Sequence, residues 1–169
     1  MKKVAKISFI LLMLMFTIFI TTGCNKKELA SLTGEWIDCG NDLVSASKKT
    51  GFRFPLVLSN YRVQATNDII EVAYPLDEFR EVKVRKSLKE IERPKLNIEN
   101  SEYMFEEKVV FNKTTVVNFL RDEMIVYTMD FNTKTGYYSV VCEQGMTFQE
   151  AKGVFKVIVQ VENPELLRK

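Results

Sequence analysis

Residues 125–142 read IVYTMDFNTKTGYYSVVC. Ile125, Tyr127, Met129 and Phe131 recur with a period of two, which places alternate side chains on one face of a strand. The polar stretch Asn132-Thr133-Lys134-Thr135-Gly136 interrupts them, and Tyr137 to Cys142 resumes the apolar pattern. Gly136 supplies a position able to take a positive φ at the turn, so the segment is expected to fold back as a β-hairpin.

The same grammar extends outward on both sides. Val109 to Phe111 and Val116 to Leu120 flank Asn112-Lys113-Thr114, a second hairpin signal whose sequon-like triplet is read as a turn. Tyr61, Val63 and Ala65 alternate, as do Ile70, Val72 and Tyr74, bounded by Asn67-Asp68 and Pro75. Phe52, Phe54, Leu56 and Leu58 alternate with Arg53, Pro55 and Val57 and are expected to form a strand as well.

Residues 77–93 are charge-dense and satisfy two periods at once. Val84, Leu88 and Ile91 have helical spacing, whereas Val82 and Val84 alternate as in a strand. Thr147-Phe148-Gln149-Glu150 has the form of a capping box and predicts one short helix, followed by the β-branched run Val154 to Val161. The pattern predicts a mainly β fold: an antiparallel meander of roughly eight to ten strands forming a small barrel or sandwich, with one or two short helices.

The first residues form a separate population. Lys2, Lys3 and Lys6 precede Ile7 to Ile20, a 14-residue run without charge. That is the layout of a secretory signal, and the run is short of the ~20 apolar residues of a spanning helix. Thr21-Thr22-Gly23-Cys24 then ends the run, with Asn25, Lys26 and Lys27 beyond it. This stretch resembles the lipobox of bacterial lipoproteins, with Thr21 where that family usually carries an aliphatic residue. The resemblance implies cleavage before Cys24, a diacylglycerol on its sulfur and a chain held on the non-cytoplasmic side of a bacterial envelope membrane. More than one acyl chain holds firmly where a single one binds reversibly, at about 0.8 kcal/mol per buried methylene. The expected organisation is a signal at 1–23, a tether at 24–31 and one β-rich domain at 32–169.

Composition narrows the chemistry. The chain has 169 residues and no histidine, which excludes Ser-His-Asp triads, Cys-His dyads, HExxH zinc sites and histidine-held haem. Removing residues 1–23 takes three Lys and no acid from 24 basic and 22 acidic side chains, leaving 21 against 22. A formal charge of −1 gives no basic face for nucleic acid. With Cys24 assigned to lipid, Cys39 and Cys142 remain, and an oxidising compartment makes one disulfide the natural expectation, two separate thiols being the alternative.

No nucleophile elbow, phosphate loop or dinucleotide fingerprint is present. The doublets Glu106-Glu107 and Asp122-Glu123 point to opposite faces of a strand and form no acid/base pair alone. Asp130-Phe131-Asn132 lacks calcium-loop spacing, having Lys134 where an oxygen ligand is required. No catalytic residue, metal or cofactor is therefore assigned. Leu32-Thr33-Gly34-Glu35-Trp36 resembles the G-x-W of lipocalin-type barrels, whose tryptophan packs across the closed end and whose interior holds a small apolar ligand. The resemblance implies a cavity lined by Trp36, Phe52, Phe54 or Tyr127; the alternative is a tryptophan that anchors the first strand in the core. Two functions follow as expectations: a lipid-anchored, non-enzymatic module that binds an envelope or secreted protein, or a lipocalin-like carrier.

Overall fold

The computed structural model describes residues 28–55, 60–96, 105–111, 115–122 and 124–162. Among the described residues eight strands form one antiparallel sheet: β1 (Ile37–Asp38), β2 (Arg62–Ala65), β3 (Ile69–Pro75), β4 (Glu81–Ser87), β5 (Phe105–Phe111), β6 (Thr115–Asp122), β7 (Ile125–Thr133) and β8 (Gly136–Thr147). The spatial order is β1-β2-β3-β4-β8-β7-β6-β5, so β1 and β5 are the edges and the sheet does not close into a barrel. Helix α1 (Leu43–Thr50) follows β1, and α2 (Phe148–Glu162) follows β8.

Two neighbouring register rows show how the sequence builds two unlike faces. Val63, Val72, Val84, Val140, Met129 and Phe119 stand side by side across β2, β3, β4, β8, β7 and β6, and all six are buried. Ala151, Phe155, Ile158 and Val159 of α2 and Ala46 of α1 join them in one core. Phe131 stacks on Tyr138 with ring centroids 5.4 Å apart and meets Phe155 edge-on at 4.9 Å. Large apolar side chains on both layers, at about 25 cal/mol per Å² removed from water, are what hold the helices down. One residue along each strand, the facing direction reverses. The adjacent row reads Gln64, Glu71, Arg85, Ser139, Asp130 and Asn118.

The hairpin at 125–142 forms as its alternation and turn predict, and Gly136 is indispensable there. Its φ is 154°, and a Cβ would lie 2.6 Å from the Ser87 carbonyl oxygen of β4. A register shift between Val126 and Thr128 changes the phase at the start of β7. Val126 is buried and Tyr127 only half-buried, so the simple alternation of Ile125 and Tyr127 with Met129 does not persist.

Several expectations are corrected. Of the charge-dense stretch 77–93, left open between helix and strand, Glu81–Ser87 forms β4, with Val82 and Val84 buried by strand alternation. Residues 51–55 are not a strand, Phe54 entering the core from an irregular segment, and the remainder of that reading lies outside the described residues. The run Val154–Val161 is helical. The Thr147/Glu150 box forms, with the Thr147 N–H donating to Glu150 Oε2 at 2.7 Å and the Glu150 N–H to Thr147 Oγ1 at 3.2 Å. The buried positions 151, 155, 158 and 159 then have helical spacing, and tertiary burial overrides β-propensity. The expected disulfide is absent: Cys39 and Cys142 are both free thiols. Cys39 follows the edge strand and Cys142 lies on β8, four strand positions away, about 19 Å at 4.8 Å per step. Bridging requires Cα atoms within about 7 Å.

Candidate functional site

The face away from the helices is a polar trough. Arg85 Nε donates to Glu71 Oε2 at 2.6 Å, and Gln64 Nε2 donates to the other oxygen of the same carboxylate at 2.5 Å. Glu71 is buried, so its charge is matched by a guanidinium and an amide instead of water. Farther along the row the matching is incomplete: Arg85 Nη1, Ser139 Oγ and Asn118 Oδ1 are buried polar atoms without a protein partner. Buried polar atoms are paired in the great majority of cases, so three in one cross-sheet row mark the trough as unusual.

Clefts open on either side of the Arg85–Ser139 pairing. One, of about 290 Å³, lies over β1 to β4 among Asp38, Arg62, Gln64, Glu71, Glu81 and Lys83. The other, of about 630 Å³, lies over β6 to β8 and takes in Glu90, Glu92, Arg93, Asn118, Asp130 and Tyr137. Both linings mix charged and amide side chains with apolar and aromatic ones: Leu29, Ile91, Phe131 and Tyr138 also face the larger cleft, and Val63 and Ala73 the smaller.

The residues expected to line an apolar cavity are not brought together there. Phe54 is buried against Tyr138, with ring centroids 6.4 Å apart. Phe52 packs beside the same core. Trp36 is half-buried, its indole N–H donating to the Leu32 carbonyl at 3.1 Å, so it fastens a local loop. None of Trp36, Phe52, Phe54 and Tyr127 lines the clefts described above. Cys24, the expected lipid site, lies outside the described residues, as do Glu123 and the 112–114 turn. Among the described residues no cluster of acids and cysteines is arranged to hold a metal. No helix among them is long and apolar enough to cross a membrane. Burial pushes the Cys142 thiol up, and its sulfur donates to the Gly145 carbonyl at 3.4 Å.

A feature that the sequence reading missed sits at the end of the sheet where β3 turns into β4. Asp77 Oδ1 accepts from the Phe79 and Arg80 N–H groups, each at 2.9 Å, and the Leu76 N–H donates to the Arg80 carbonyl at 2.8 Å. The Arg80 guanidinium donates to Asp77 Oδ2 at 2.7 Å and to both Glu150 oxygens at 2.9 and 3.0 Å. It also donates to the Gly145 carbonyl at 3.2 Å. Hydrogen bonds from Arg80 are the leading cause holding the Glu150 carboxyl below its ordinary range. The turn is thereby clamped to the capping box of α2. Its Asp-x-x-Arg spacing was the available signal, since Asp in a turn recruits backbone N–H groups two and three residues on.

Fold and site together define a class: an open antiparallel sheet with two helices packed on one face and a partly buried row of charged and polar side chains on the other. No protein-family model, curated protein or solved structure matches this chain.

Proposed function

We propose that the protein is a lipid-tethered envelope module that acts by binding another protein. The supporting observation is where the chain enters the fold. Ala30 pairs with Ile91 just past the end of β4, its N–H donating to the Glu90 carbonyl at 2.8 Å. Glu28 lies 3.3 Å from Lys89 in the same place. The entry point is therefore held by the Ala30 backbone six residues after Cys24, at the end of the sheet that also carries the β7–β8 turn. A tether there holds one end of the sheet toward a membrane and leaves the β3–β4 end facing away from it. That Trp36, Phe52, Phe54 and Tyr127 line none of the clefts supports this reading over a carrier of an apolar ligand.

Fractionation of cells carrying Cys24→Ser tests the proposal. Loss of membrane association, or accumulation of unprocessed precursor, is expected. Normal processing and unchanged membrane retention would overturn it.

A further inference from the structure

Phe79 is 85% exposed at the crest of the clamped β3–β4 turn. A phenylalanine in water gains nothing for folding, yet the turn beneath it is fixed by Asp77, Arg80, Glu150 and the Gly145 carbonyl. Two further apolar side chains share this end. Met124 is 66% exposed, and its carbonyl accepts from the Phe148 N–H at 3.1 Å at the start of α2. Ile125 is partly exposed and sits against Gly145, whose carbonyl Arg80 engages. Phe79, Met124 and Ile125 thus surround one rigid support at a single end of the sheet.

That end lies opposite the chain's entry. β8 runs the full distance between the two, and its 12 residues span about 40 Å at 3.3 Å per residue. The turn and its clamp carry Asp77, Glu78 and Glu150 against Arg80, a formal −2, while the adjacent Lys83 and Glu143 pair at 2.8 Å.

We propose that Phe79 and its apolar neighbours dock into an apolar pocket, rimmed by basic side chains, on a protein partner. The proposal rests on the reading of the chain as a binding module and identifies the surface and the partner's chemistry. Charge selects this occupant: an anionic lipid surface repels a tip of −2, and two copies meeting tip to tip would oppose like charges. The clamp fixes the backbone at Phe79, so docking its ring orders the side chain alone and not the loop.

The test uses the full chain in its own envelope, with a benzophenone amino acid in place of Phe79 or, as control, Lys134 at the opposite end. The expected result is a protein adduct from position 79 only, mapping to partner residues that include apolar side chains flanked by Lys or Arg. With that partner purified, Phe79→Ala is expected to weaken affinity about 30-fold while leaving the unfolding midpoint unchanged. Glu78→Lys, which leaves the clamp intact, is expected to slow association and reverse its salt dependence. Phospholipid adducts, adducts to a second copy, no adduct above the Lys134 control, or unchanged affinity of Phe79→Ala would each overturn the proposal. Cys24→Ser reports separately on the tether: if its localisation is unaltered while position 79 still cross-links, the anchor is wrong and the docking surface stands.

Discussion

Replacing Lys86 by Met is expected to be among the most damaging single changes available in the sheet. Lys86 and Glu162 form an ion pair with Nζ 2.5 Å from Oε1, and each side chain is only 5% exposed. Thr135 and Tyr138 also donate hydroxyl hydrogen bonds to the Glu162 carboxylate. The pair joins the last residue of α2 to β4. Burial, the strongest influence, pushes the Glu162 carboxyl up, but hydrogen bonds from Lys86, Thr135 and Tyr138 outweigh it and leave the group below its ordinary range. Lys86→Met removes the cation and leaves a buried carboxylate, which costs about 3–5 kcal/mol. For a chain of this size that is roughly 6–20 °C in Tm.

The pH dependence has a definite sign. In the parent the depressed carboxyl contributes stability above its unfolded value of about 4.3, lost as pH falls through the lower folded value. In the variant the uncompensated carboxyl titrates upward, so the deficit is largest near neutrality and shrinks as pH falls toward 4. Lys86→Met/Glu162→Gln recovers most of the loss, because a neutral amide oxygen still accepts from Tyr138 and Thr135. Urea unfolding followed by far-UV circular dichroism measures each of these. A Lys86→Met deficit below about 1 kcal/mol, or one independent of pH, would refute the reasoning.

Three further outcomes follow. Gly136→Ala is expected to cost about 2–3 kcal/mol in denaturant unfolding, since its Cβ would meet the Ser87 carbonyl at 2.6 Å; a loss under 0.5 kcal/mol contradicts the close approach. Thr147→Ala removes the capping box of α2 and is expected to cost about 1 kcal/mol, read by the same titration. In purified protein Cys39 reacts with a thiol reagent in the native state, whereas Cys142, fully buried, reacts only on unfolding. A mass lower by two hydrogens with no reactive thiol contradicts that assignment.

The fold was legible where local pattern and tertiary burial agree. β2, β3 and the β7–β8 hairpin follow from period-two alternation and turn residues, although β3 over residues 69–73 and β8 over 138–142 are buried on both faces. It was not legible where the two disagree. Val154 to Val161 favours a strand locally, but the capping box and the burial of Phe155, Ile158 and Val159 make it helical. Helix α1 shows little apolar periodicity and was missed, although its ends were written in the sequence. Asp42 accepts from the Val44 and Ser45 N–H groups, and Gly51 closes the helix at φ 78°. The Cys39–Cys142 expectation failed because cysteine counting carries no information on strand order. The trough was invisible for a similar reason: Ser139 joins the Glu71–Arg85 pair of β3 and β4 only through the pairing of β4 with β8.

The intact mass of the protein extracted in detergent from membranes tests the central claim most directly. A chain beginning at Cys24 and carrying a diacylglycerol is predicted. A chain that retains residues 1–23, or one that starts elsewhere with Cys24 as a free thiol, contradicts it.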